Sequence, residues 1–238
     1  MKKLFLPLFV YAFTLFGLQS CDSTYDDLEP RGTSTHIFDL DNFDQLEMGN
    51  AFQVNVKAGS SYSISATGEL NDLDDLEIFT KDSELVVRYK EPWRNRRHKM
   101  TIDITMPSLS GVGFSGAVHA NISGFESVRK IDFELSGASK CDFSGSAKTI
   151  EMDLSGASGL NLTGSGQFID GELSGASELR SFNYQAEESD IRLSGASEGK
   201  ILVARYLKVD ASGASNLRYK GNPEIQKKVS GGSSVSKD

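Results

Sequence analysis

The sequence predicts an all-β fold, a parallel β-helix (β-solenoid) with coils of about 18–21 residues and an N-terminal half of less regular strands. The first observation behind it is a repeated phrase. Leu-Ser-Gly-Ala-Ser stands at Leu135–Ser139, Leu154–Ser158, Leu173–Ser177 and Leu193–Ser197, with a variant at Ala211–Ser215 and degenerate copies at Phe114–Val118 and Val229–Ser233. A fixed period of this length marks a solenoid of stacked units. The second is an alternation running through each phrase: Ile131, Phe133, Leu135, Gly137, Ser139, Cys141 and Phe143 share one phase, as do Ile150, Met152, Leu154, Gly156, Ser158, Leu160 and Leu162. Period two on both sides of a small-residue phrase describes two strands joined by a bend, and it places the glycines on the inward side. The third concerns the competing solenoids. Leucine-rich and helical repeats need a helical stretch in every unit, and Gly or Ser interrupts each candidate stretch here.

Length and composition agree with one domain that buries a real core, since 238 residues carry 38% apolar side chains. The 23 glycines collect in the repeat bends, not in a tail, which is turn chemistry rather than disorder. The formal charge is −8, and loss of an export segment carrying Lys2 and Lys3 but no acid leaves −10. An acidic chain argues against nucleic acid as a partner.

Taken in order, Met1–Ser20 has the layout of a secretory signal: Lys2-Lys3, then an apolar run from Leu4 to Leu18. That run is short for a spanning helix. Leu18-Gln19-Ser20-Cys21 resembles a bacterial lipobox, so Cys21 is the expected lipidation site and first mature residue. Two acyl chains suffice for stable anchoring, at ~0.8 kcal/mol per buried CH₂. Residues 21–34 form an acidic tether with Asp22, Asp26, Asp27 and Glu29. It reads equally as a surface-export signal or as a plain solvated linker.

Residues 35–230 form the single predicted domain, irregular to about residue 110. In that half Leu46, Met48, Phe52, Val54 and Val56 alternate, as do Leu85 and Val87, then Ile102, Ile104 and Met106. These strands are expected to continue the helix, partly as a sandwich-like cap over the first coil. Met48-Gly49-Asn50-Ala51 imitates the bend phrase. Leu70–Leu76 is expected as an acidic loop, Glu91–Lys99 as a basic one, and 231–238 as a frayed, flexible tail. With Cys21 lipidated, Cys141 has no partner and sits in the inward phase as a small hydrophobe.

The lipobox, the alternating first half, the Met106-Pro107-Ser108-Leu109 segment leading into Phe114-Ser115-Gly116-Ala117, and the recurring Leu-Ser-Gly-Ala-Ser together resemble the putative auto-transporter adhesin, head GIN domain family, over about Ile37 to Ser230. The resemblance implies a right-handed β-helix exported to the envelope. It brings no catalytic residues.

Three groups are candidate sites. Outward positions before the bends read Asp132, Glu151, Asp170, Asp190, Lys208 and Glu134, Asp153, Glu172, Arg192, Asp210. Stacked like charges repel by ~1 kcal/mol per pair in bulk dielectric at 4 Å, and carboxylates suit Ca²⁺, with Asp132, Glu134, Glu151, Asp153, Asp170 and Glu172 as ligands. No Ca²⁺ loop signature accompanies them, so a solvated face that discourages aggregation is the simpler reading. The second group is Trp93, Arg94, Arg96, Arg97 and Lys99, where guanidinium forks and an exposed indole suit an anionic glycan or headgroup; a solvated connecting loop is the alternative. The third is paired acids, Asp132/Glu134 and Glu151/Asp153, which would serve a polysaccharide lyase or hydrolase. Three His (His36, His98, His119) and no HExxH, CxxC or phosphate loop specify no nucleophile, metal centre or cofactor. The expected function is therefore a non-catalytic, lipid-anchored binding, adhesion or scaffolding module of the cell envelope, at the outer membrane. Its partners are the membrane, through Cys21, and a glycan or envelope protein; a carbohydrate-active enzyme is the alternative.

Overall fold

Alternation of apolar and polar residues obliges the chain to bury one side of each strand, and the computed structural model does so with strands wound into a parallel solenoid. It describes residues 28–94 and 97–238, so Met1–Ser20, Cys21, residues 22–27 of the tether and Arg96 lie outside the described residues.

The first strands are β1 (Thr33–Phe38), β2 (Gln45–Met48), β3 (Gln53–Ala58) and β4 (Ser63–Glu69). A short helix α1 (Leu70–Asp75) then leads into β5 (Leu76–Lys81), β6 (Glu84–Tyr89), β7 (Thr101–Met106) and β8 (Gly111–Phe114). Chain order and spatial order differ here. The coil made by β2 and β3 lies between the coil of β6 and β7 and the next one, because β2 pairs with both β6 and β8 and β3 pairs with β7, all parallel. Outside them β5 pairs antiparallel with β6, β4 with β7, and β1 with β4. The expected sandwich-like cap is thus corrected: the end of the solenoid is closed by antiparallel strands of the same sheet, which give the first coil's backbone its partners. The expected acidic loop at Leu70–Leu76 is also corrected, because Glu69 caps α1 by accepting from the Asn71 and Asp72 amides.

Regular coils follow with β9 (His119–Leu135), β10 (Lys140–Leu154), β11 (Gly159–Leu173), β12 (Glu178–Leu193) and β13 (Glu198–Ala211). Each holds two straight runs around a corner. Register is continuous between β10 and β11, while shifts between β9 and β10 and between β12 and β13 fall at that corner, near Gly145 and Gln185. Coil-length differences are therefore absorbed there as bulges, and the Ser-Gly-Ala-Ser bends stay in step.

The bend itself differs from the alternation reading in one respect. Leu135 and Ser139 are buried, whereas Gly137 is exposed, so the glycine does not point inward. It is needed for its left-handed φ of +68°, shared with Gly116, Gly156, Gly175, Gly195, Gly213 and Gly231, each within a few degrees. Asn50, at φ +64°, heads the same column, which is why Met48–Ala51 imitates the phrase. The inward serine closes the turn: Ser139 Oγ donates to the Ser136 carbonyl at 2.8 Å, and Ser197 and Ser215 repeat the bond at 2.9 Å. Ser158 and Ser177 hydroxyls are buried without a partner.

The core is one column of stacked rows, such as Leu135, Leu154, Leu173 and Leu193, joined by a T-shaped Phe133–Phe143 pair with ring centroids 5.6 Å apart. Each fully buried Leu or Phe contributes roughly 1.5–3 kcal/mol. The last coil comprises β14 (Asn216–Lys220), β15 (Glu224–Val229) and β16 (Ser234–Lys237). Residues 231–238, expected as a frayed tail, instead carry β16 in parallel register on β14. Lys227 stands opposite inward-facing Val209, so that row ends on a charge, which discourages another chain from adding there, while the Leu207, Ala211 and Leu217 rows end on Ile225, Val229 and Val235.

Candidate functional site

Before each bend, the second straight run presents the acidic rows the sequence places outward, and they stack in register: Asp132, Glu151, Asp170, Asp190 and Lys208 in one, Glu134, Asp153, Glu172, Arg192 and Asp210 in the other. Their repulsion is relieved by the chain's own cations. Lys130 bridges Asp132 and Glu151 at 3.0 and 2.9 Å, Arg192 reaches Asp170 and Glu172 at 3.4 and 3.1 Å, and Lys208 pairs with Asp190 at 2.7 Å. These exposed pairs are worth little individually, yet they answer the electrostatic demand that Ca²⁺ would otherwise meet. Glu47 folds over Gly113 at the head of the second row; burial, then the nearby Glu84 and Glu134, raise its pKa.

The basic segment is organised around α1. Arg97 donates to Asp72 at 3.1 Å, to Asp75, and to the Glu91 carbonyl at 2.8 Å, and its guanidinium lies 3.9 Å from the centre of the Tyr89 ring. Arg94 lies 3.7 Å from Asp72 and 3.9 Å from Asp75. Arg94 and Arg97, expected from the sequence to meet an external anion, are both turned toward α1 here. Their forks neutralise two aspartates that α1 buries, with Asp72 only 1% exposed. Burial and then Asp72 raise the Tyr89 phenol. Trp93 remains 56% exposed, and Lys99 is exposed as well.

Glu69, Asp72 and His98 bring three ligand atoms close together. Burial alone would raise the Glu69 carboxyl, but the Arg31, Asn71 and Asp72 amides outweigh it and hold the pKa low. Asp72 in turn accepts from Arg97 and from the His98 amide at 2.8 Å. These carboxylates are committed to N–H donors, so the trio serves as a cap and clamp rather than a metal centre.

The face after each bend is the one sequence reasoning missed. His119, Lys140, Gly159, Glu178 and Glu198 stack in one outward row, and Asn121, Asp142, Asn161, Arg180 and Lys200 in the next. Asn55 donates to Asp103 at 2.8 Å and Asn161 to Asp142 at 3.0 Å, side chain to side chain across coils. A cavity of about 550 Å³ opens on this face around Gly159. The signal was available in the phase opposite to Cys141 and Phe143, where Asn55, Asn121 and Asn161 fall in one row. Cys141 itself is 2% exposed, and burial raises its thiol pKa far above the range of a reactive thiolate.

Comparison with known proteins places this geometry among relatives. The sequence profile described as "putative auto-transporter adhesin, head GIN domain" matches residues 42–223. No curated protein matches the chain. Among solved structures, a putative adhesin from Bacteroides fragilis NCTC 9343 is similar at TM-score 0.79 and 19% identity, covering 87% of this chain and 96% of that one. A putative adhesin from Parabacteroides merdae ATCC 43184 gives TM-score 0.70 at 22% identity over 87% of this chain and 96% of its own. A putative lipid binding protein from Parabacteroides distasonis ATCC 8503 gives 0.59 at 16% identity over 88% and 98%. At these identities the likeness shows a shared fold.

Proposed function

Because the chain belongs to the putative auto-transporter adhesin, head GIN domain family, we propose that it is a non-catalytic binding module of the cell envelope, held on the outer membrane by lipid on Cys21. Its outer coil faces do the binding. The observation that carries this is the regularity of the bends. From β9 to β13 the bends are four-residue turns in step, so no inserted loop walls a cleft around the acids of the pre-bend face. Several of those acids are paired with lysine or arginine, which leaves them poorly suited to share a proton with a glycosidic oxygen. A rigid ladder of polar side chains, by contrast, is already ordered before a ligand arrives and loses little entropy on binding.

Attachment in this reading rests on the sequence, where the apolar run ends at Leu18-Gln19-Ser20-Cys21 and lipid on Cys21 would hold the chain on a membrane.

The test is retention without turnover. The mature chain, incubated with a panel of soluble and insoluble polysaccharides, is expected to co-sediment with at least one while the polysaccharide keeps its length. New reducing ends or unsaturated sugar products would establish a hydrolase or lyase instead.

A further inference from the structure

We infer that the groove around Gly159 on the post-bend face is a binding site for a neutral oligosaccharide, an inference that rests on the reading of the chain as an envelope binding module. Gly159 has no reason within the fold to be glycine. Its φ lies outside the left-handed region, and a Cβ there would meet nothing nearer than the Glu178 carbonyl oxygen and Lys140 Cγ, both at 3.9 Å. The register Lys140–Gly159–Glu178 carries no bulge at this position. Gly159 opens β11 directly after the bend, where neither its φ nor a bulge requires glycine, and the absent side chain lets a ligand approach the backbone closely. The missing side chain interrupts the row between Lys140 and Glu178 and opens the cavity of about 550 Å³.

The lining chemistry selects the ligand. Arg180 holds Glu178 in a bidentate pair at 2.6 Å for both bonds, and Asn161 donates to Asp142 at 3.0 Å. Lys140 and Arg180 balance Asp142 and Glu178, so an ionic ligand gains no net attraction. The strand backbone beneath is already paired on both sides, so an added peptide strand has no edge to join. Gln53, Asn121 and Asn161 each spend one amide N–H within the protein, on the His119 carbonyl, Asn55 and Asp142, which fixes the side chain and leaves its second N–H and its carbonyl oxygen to pair with sugar hydroxyls. Asn121 and Asn161 stand in one row on either side of Asp142, two coil spacings or about 10 Å apart, so they can meet alternate units of an extended sugar chain.

The experiment uses the mature chain on an array of neutral gluco-, manno-, galacto- and N-acetylglucosamine oligomers, with heparin and anionic-lipid vesicles as separate arms. Gly159→Trp fills the groove, and Asn161→Ala removes one amide without adding bulk; thermal melts show that each variant is folded. Binding of the wild-type chain to a neutral oligomer, weakened tenfold or more by either folded variant, is the expected result. Neutral binding that both folded variants leave unchanged overturns the site while leaving the binding-module reading intact. Binding confined to heparin or vesicles, or to none of the probes, overturns the ligand class; turnover of any oligomer overturns the binding-module reading itself.

Discussion

A Cβ placed on Gly156 would stand 2.6 Å from the carbonyl oxygen of Gly137 in the preceding coil, and that same oxygen accepts from the Ala157 amide at 2.7 Å. The bends are thus a column of backbone against backbone, in which each glycine makes room for the hydrogen bond that ties its coil to the last. Gly156→Val is expected to cost several kcal/mol: roughly 1–3 kcal/mol for a non-glycine held at left-handed φ, and more for the contact with Gly137. Ser136→Val, on a half-buried side chain of the same bend, should cost under about 1 kcal/mol. Urea melts of the two variants measure the difference, and equal losses would contradict the column.

Arg97 is expected to behave as a core residue despite its charge. Removing one partner of a buried ion pair typically costs about 3–5 kcal/mol because the other charge is left stranded. Arg97→Ala should therefore lower stability by that order and loosen α1 from the segment after Tyr89. Adding Asp72→Asn and Asp75→Asn should recover part of the loss. A thermal melt of Arg97→Ala coincident with wild type would show the network to be ornamental.

How much of this was legible in the sequence follows from which signals are local. The repeat, the strands and the inward rows could be read because period two is written in adjacent residues such as Ile150, Met152 and Leu154. The inward placement of Gly137 failed because a turn suspends alternation: Leu135 and Ser139 share a phase four residues apart, and both Gly137 and Ala138 between them face solvent. The α1 helix and its ion pairs were hidden because Asp72 meets Arg97 across 25 residues, a contact no local pattern records. The groove was missed because a single glycine in a polar row looks like surface until its neighbours in adjacent coils are placed beside it.

With Arg94 and Arg97 turned inward, the chain should bind heparin weakly. At ionic strength of roughly 0.15 M, where the Debye length is about 8 Å, the mature chain at −10 is expected to elute early from a heparin column, and Trp93→Ala and Lys99→Ala should change that little. Strong, salt-sensitive retention lost in either variant would restore the basic segment as an anion site.

Lipidation at Cys21 is expected to decide location. Cys21→Ser should move the protein from the membrane fraction to a soluble or unprocessed form, and the intact mass of the wild-type mature chain should exceed its polypeptide mass by the acyl groups. An unmodified mature chain still sedimenting with membranes would contradict the anchor.

The most direct measurement of whether a coil face is the working surface is carboxylate footprinting of the mature chain, alone and bound to polysaccharide from a bacterial envelope preparation. Acids mark each region separately: Asp142 and Glu178 the post-bend face, Asp132, Glu151 and Asp170 the pre-bend face, and exposed Asp74 the helix α1. The expected result is protection of Asp142 and Glu178 on binding, with labelling of the others unchanged. Protection confined to Asp132, Glu151 and Asp170, or no protection on either face despite binding, would contradict it.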